Sequence, residues 1–200
     1  NLAAMSVSQI GALEAAGVNA IDASDNSLAL SVAQFQALGT VQLSAGDLVT
    51  LEDTGVNISA MTVAEVAALS AGNIDTIDAT DDLVELTAAQ TIALGSVSIA
   101  PADMGVLVDT GANIGAMTAV QIGALSGFGI DSIDASDDEL ALSIAQLNSL
   151  GPVALSGGDT VTLQDTGAAL SAMTTGEIAA LAGLGVDALD ASDDVLTLTL

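Results

Sequence analysis

Six residue types are missing outright: the 200-residue chain contains no lysine, arginine, histidine, cysteine, tyrosine or tryptophan. With no cation to displace phosphate counterions, nucleic acid is excluded as a partner, and so are anionic membrane surfaces. With no imidazole, thiol, lysine or arginine, most general-base, nucleophilic and anion-stabilising chemistry lacks a side chain to carry it. Only carboxylates and hydroxyls remain, so an enzyme is not expected. Zero cysteine removes disulfide and thiol chemistry, which suits a reducing cytosol and an exported protein alike. Phe35 and Phe128 are the only aromatic rings, too few to stack on sugars. No uninterrupted apolar run approaches the ~20 residues a bilayer span needs, so membrane insertion is not expected.

What is present is aliphatic and acidic. The 26 aspartates and glutamates give a formal charge of -26, yet 51% of the residues are hydrophobic. That is enough for a packed core, and it separates the chain from disordered acidic tails. Met5, Met61, Met117 and Met173 recur every 56 residues, and their surroundings recur in register: Ile77-Asp78-Ala79-Thr80-Asp81-Asp82 matches Ile133-Asp134-Ala135-Ser136-Asp137-Asp138. Fixed-period self-similarity is the signature of stacked repeats. The units run 1–56, 57–112 and 113–168, with a partial unit at 169–200. The chain begins and ends within the pattern, so a segment of a longer array is expected.

Seven Ser or Thr residues are followed three positions later by Gln or Glu: Ser6/Gln9, Ser31/Gln34, Thr62/Glu65, Thr87/Gln90, Thr118/Gln121, Ser143/Gln146 and Thr174/Glu177. Each reads as a capping box, and the preceding Met or Leu reads as half of a hydrophobic staple. Their spacing alternates 25 and 31 residues. The 56-residue period therefore hides two related turns of about 28 residues. Each helix is followed by two short apolar strips separated by a polar corner, such as Val18–Asp22 and then Leu28–Leu30, or Val41–Leu43 and then Val49–Leu51. The expected fold is α/β: a right-handed α/β solenoid with parallel β-sheets, one short helix per coil, about 28 residues per coil and two coils per repeat. Its layout is similar to that of leucine-rich repeats.

Alignment of the two turn types places one aspartate at the same corner of every coil: Asp25, Asp47, Asp81, Asp103, Asp137, Asp159 and Asp193. At strand spacing, two carboxylates repel by roughly 0.9 kcal/mol in water, and the chain has no basic side chain to offset this. The shorter turn concentrates more charge in Asp22/Asp25, Asp78/Asp81/Asp82, Asp134/Asp137/Asp138 and Asp190/Asp193/Asp194. Oxygen-only clusters favour hard cations, Ca2+ before Mg2+. These residues are thus candidate Ca2+ ligands, with Asp47, Asp103 and Asp159 as weaker ones. The competing reading is that each aspartate caps a tight turn by accepting from backbone amides. The triplets Asp53-Thr54-Gly55, Asp109-Thr110-Gly111 and Asp165-Thr166-Gly167 match an aspartic-protease motif. Three copies at the repeat period argue instead for a structural loop in which glycine supplies a positive φ.

The repeats Val161-Thr162-Leu163-Gln164-Asp165-Thr166-Gly167-Ala168, Ala116-Met117-Thr118-Ala119-Val120-Gln121-Ile122-Gly123 and Ile133-Asp134-Ala135-Ser136-Asp137-Asp138 resemble the tandem-repeat regions of very large acidic secreted bacterial surface proteins and adhesins. Such proteins are often exported by type I secretion, in a repeats-in-toxin-like context associated with calcium. The resemblance implies an extracellular or bacterial cell-surface location. The expected function is an extracellular structural array: an adhesin stalk, surface filament or surface-layer component stiffened by Ca2+, with self-association into fibres or a lattice as a further possibility. The alternative is a solenoid binding module for a protein or glycan. The residues at one exposed strand position, Asn19, Thr76, Ser132 and Ala188, are small and non-aromatic, which weighs against a recognition face.

Overall fold

The structure, a computed structural model, describes residues 2–197. Its strands are β1 (Ala20–Ile21), β2 (Ser27–Leu30), β3 (Gln42–Leu43), β4 (Leu48–Asp53), β5 (Thr76–Ala79), β6 (Leu83–Leu86) and β7 (Ser98–Ile99). They continue with β8 (Met104–Asp109), β9 (Ile130–Ala135), β10 (Glu139–Leu142), β11 (Ala154–Leu155), β12 (Thr160–Asp165) and β13 (Ala188–Ala191). The helices are α1 (Val7–Gly11), α2 (Val32–Ala37), α3 (Gly55–Ser59), α4 (Val63–Ala71) and α5 (Ala88–Ala93). After them come α6 (Gly111–Gly115), α7 (Ala119–Ala124), α8 (Ile144–Ser149), α9 (Gly167–Ser171) and α10 (Thr175–Ala180). Helices alternate with strands, and the sheets are parallel, so the protein is α/β. The chain divides into two compact units, Asn1–Glu85 with Ala89–Gly105, and Leu86–Ala88 with Val106–Leu200.

The helix starts follow from the capping chemistry. Capping boxes form in full at Ser6, Ser31, Thr62, Thr118, Ser143 and Thr174, and α5 begins directly after Thr87. The staples also form where the core is complete. Met61 and Met117 are buried, as are their partners Val66 and Ile122.

The expectation of one helix per coil is corrected. Each longer turn carries an additional one-turn helix, α3, α6 or α9, capped by Thr54, Thr110 or Thr166. The residue three positions after these caps is Asn57, Asn113 or Ala169. No glutamate or glutamine reaches back there, so the capping-box pattern misses the start.

In the first unit, β1 pairs with β3, and a second sheet has the order β2-β4-β5-β7. Its core row is aliphatic: Leu30 lies beside Leu51, Leu51 beside Ile77, and Ile77 beside Ile99, all of them buried. Each contributes about 1.5–3 kcal/mol relative to exposure. In the second unit β10-β12-β13 form one sheet, and β11, β9 and β8 run side by side in another. There Leu142, Leu163 and Leu189 align in the same way.

The register interleaves the two kinds of turn. Strand β4 is six residues long. Its first four residues pair with β2, and its last four with β5. The second strip of a longer turn therefore lies between the second strip of the turn before it and the first strip of the turn after it. Strand β12 does the same between β10 and β13. Similarity of motifs does not encode which strip pairs with which. That choice is made by strand length and by where the helices direct the chain.

Candidate functional site: the aspartate corners

Each shorter turn bends at a four-residue corner closed by a backbone bond from the last amide to the first carbonyl. The amide of Asn26 donates to Ala23 at 2.9 Å, Asp82 to Ala79 at 2.9 Å, Asp138 to Ala135 at 2.8 Å and Asp194 to Ala191 at 2.8 Å. The donor residues are left-handed, with φ of 54°, 59°, 59° and 56°. Asn and Asp tolerate that conformation better than other non-glycine residues. Backbone geometry thus selects the second acidic residue of each Asp-Asp pair.

The first member of the pair works at longer range. Oδ1 of Asp81 accepts from the Gly55 amide at 2.7 Å, Asp137 from Gly111 at 2.8 Å and Asp193 from Gly167 at 2.9 Å. The Gly167 bond holds the Asp193 carboxyl below the ordinary carboxylate range. These glycines open α3, α6 and α9. Their amides are among the unpaired donors of a helix start, and the carboxylate supplies the acceptor. Two residues beyond the aspartate, a backbone carbonyl lies against the glycine itself. A Cβ on Gly55 would sit 2.0 Å from the Leu83 oxygen, on Gly111 1.7 Å from Glu139, and on Gly167 1.4 Å from Val195. The Asp-Thr-Gly glycines are absent from the positive-φ residues. Close backbone approach, and not φ, requires them, which corrects the turn reading of that triplet.

The aspartate of the same triplet is fully engaged. Asp53 Oδ1 accepts from Thr54 N and Asn57 Nδ2, and its Oδ2 accepts from Val32 N at the start of α2. Asp109 and Asp165 repeat the contact at Ala88 and Ile144. Asp75 and Asp187 likewise accept from Val49 and Val161 at 2.8 and 2.9 Å. None of these five was singled out as a corner residue from sequence. They lie outside the Asp-x-x-Asp pattern, and their partners are 21 to 26 residues away.

The longer-turn aspartates differ from all the others. Asp47, Asp103 and Asp159 are 6%, 7% and 7% exposed. Oδ2 of each accepts from an amide of the preceding shorter turn: Ala23 at 2.8 Å, Ala79 at 2.7 Å and Ala135 at 2.9 Å. Oδ1 of each is buried without a hydrogen-bond partner. Burial pushes the Asp103 carboxyl above the ordinary range despite the Ala79 bond, and Asp78, Asp82 and Asp81 push it further. Asp159 is raised in the same way by burial and by Asp134, Asp138 and Asp137.

The expected single column of seven aspartates thus resolves into two kinds of contact. Asp81, Asp137 and Asp193 are exposed and hold helix starts, whereas Asp47, Asp103 and Asp159 are buried against corner backbone. Asp25 is exposed and, with Asp22, lines a shallow groove in the first unit. On the strands, Asp78 lies beside Glu52 in the ladder. Asp190 lies beside Gln164 and accepts from its Nε2 at 2.6 Å. Asp134 is half-buried on β9. Among the described residues no group of three or more acidic side chains is arranged to hold a metal ion.

One further set completes the contacts between turns. Gln34, Gln90 and Gln146, each three residues after the cap that opens a longer turn, also donate backwards. Gln146 Nε2 reaches the Gly115 and Met117 carbonyls at 2.9 and 2.7 Å. Gln90 reaches Ser59 and Met61, and Gln34 reaches Ala3 and Met5.

Comparison of the chain with protein-family models, with curated proteins and with solved structures gives no match.

Proposed function

We propose that the chain is an extracellular structural repeat array, a stretch of right-handed α/β solenoid serving as an adhesin stalk, surface filament or surface-layer component, and not an enzyme. One observation carries this reading. The carboxylates that could have formed a reactive site are spent, at a 56-residue period, on backbone amides 21 to 26 residues away. A chain without a single cation still binds its successive turns through acidic side chains. Repetition of one mechanical contact, with no convergence of different groups, suits a part whose work is to hold shape. The absence of lysine and arginine also removes every trypsin-type cleavage site, and high net charge keeps such a surface soluble. No helix among the described residues is long and apolar enough to cross a membrane. Dissolved Ca2+ enters this proposal as a counterion that stiffens the array by relieving repulsion.

Antibodies raised against the chain are expected to label intact, unpermeabilised cells of the organism that makes it. Labelling that requires permeabilisation overturns the location. Equal unfolding midpoints in EDTA and in millimolar Ca2+ remove calcium from the proposal while leaving the array intact.

A second reading, a binding module for a protein or glycan, has one observation in its favour. In the second unit a groove crosses β10, β12 and β13, lined by Glu139, Thr160, Thr162, Gln164 and Asp190. Its hydroxyl, amide and carboxylate groups could hydrogen-bond a polar ligand.

A further inference from the structure

The Oδ1 atoms of Asp103 and Asp159 need a positive charge that the polypeptide does not contain. Each carboxyl is more than nine-tenths buried, and each has one oxygen bonded to a corner amide and one oxygen without a partner. The titratable groups that bear on Asp103 are Asp78, Asp81 and Asp82; those that bear on Asp159 are Asp134, Asp137 and Asp138. All six are acidic. A buried anion facing anions normally recruits Lys, Arg or His, and the sequence has none. A proton on the carboxyl removes that charge without any basic partner.

We propose that Asp103 and Asp159 are proton-operated locks, neutral and firmly seated on Ala79 and Ala135 in mildly acidic solution, and charged and destabilising at neutral pH. The proposal concerns the fold alone and stands whether or not the array is extracellular.

Both carboxyls titrate above their unfolded value, so the folded state binds the proton more tightly than the unfolded chain does. Their contribution is fully present below the ordinary aspartate value of about 3.9 and is lost as pH rises through the folded value. Asp193, Glu65 and Glu177 oppose this at the acid end. Backbone amides at Gly167, Thr62 and Thr174 hold these three low, so their contribution is lost as pH falls through those values. The chain is therefore most stable in mildly acidic solution, weaker at neutral pH and weaker again in strong acid.

The test is made on the whole chain in EDTA, so that divalent cations play no part. Side-chain carboxyl carbon shifts of Asp103 and Asp159 are followed by NMR from pH 3 to pH 8, and thermal midpoints are measured at pH 5 and pH 7.5. The expected result is that both carboxyls titrate above the ordinary aspartate range, and that the midpoint falls by about 3 °C or more between pH 5 and pH 7.5. Asp103→Asn with Asp159→Asn removes those transitions and most of that fall. Asp82→Asn, which discharges an exposed left-handed residue that asparagine accommodates equally, keeps the Asp159 transition and most of the fall. If both carboxyls titrate in the ordinary range, the proposal is overturned, whether or not the double variant folds. It is also overturned if the double variant retains the full fall, because the pH dependence then belongs to net charge alone.

Discussion

Gly111→Ala is expected to destabilise the second unit by about 3 kcal/mol or more, as seen in its urea or thermal unfolding midpoint. On propensity alone the change should help, since alanine is favoured over glycine in helices by up to about 1 kcal/mol. Close approach decides against it. The added methyl would sit 1.7 Å from the Glu139 carbonyl oxygen, and that atom is backbone, so no rotamer change relieves the clash. Either α6 lifts from β10 or the corner around Asp137 moves, and both break the bond from the Gly111 amide to Asp137. Gly176→Ala is the control. This glycine lies in α10, and its nearest neighbour would be 3.9 Å from the new methyl. Here propensity is unopposed, and a gain of roughly 0.5 kcal/mol is expected. Equal effects at the two sites would contradict the close-approach account.

Gln146→Glu is expected to cost about 2–4 kcal/mol, while Gln121→Glu should be nearly neutral. Both glutamines occupy the same capping-box position and accept from the cap through Oε1. Gln146 alone uses its amide as a donor, to the Gly115 and Met117 carbonyls, and it is 7% exposed. A carboxylate there loses two hydrogen bonds and sets a buried charge against two carbonyl oxygens. At the Gln121 position the requirement is only to accept, and Glu65 and Glu177 already do so from Thr62 and Thr174. Lowering the pH should rescue Gln146→Glu in part, because protonating the introduced carboxyl restores a donor and removes the charge. Comparison of urea midpoints at pH 7 and pH 4.5, each against the parent chain at the same pH, checks both the cost and the rescue.

The glutamine result shows how much of the site could have been found from residues alone. The N3 residue is always Gln in the longer turns (Gln34, Gln90, Gln146) but alternates between Gln and Glu in the shorter ones (Gln9, Glu65, Gln121, Glu177). That contrast was available, and it says that the longer-turn residue must donate as well as accept. The acceptors, 29 and 31 residues upstream, were not available, because nothing in the local pattern indicates which carbonyls lie above it. The same division holds for the aspartates. Asp81 and Asp103 look equivalent when the turns are aligned, yet one is exposed at a helix start and the other is buried with an unpartnered oxygen.

By itself, the amino-acid order determined what depends on neighbours a few positions apart. It set the 56-residue period, the capping boxes from Ser6 to Thr174, the acidic and asparagine residues at the corners, and the lack of any basic or thiol side chain. These are local or compositional, because a cap bonds three residues away and a charge count needs no coordinates. Only the tertiary structure decided that β4 lies between β2 and β5, that α3, α6 and α9 begin at Thr54, Thr110 and Thr166, and that Gly111 must lack a side chain. Each of these depends on groups brought together from 21 to 28 residues apart. Parallel pairing sets which groups meet, and no local spacing records it.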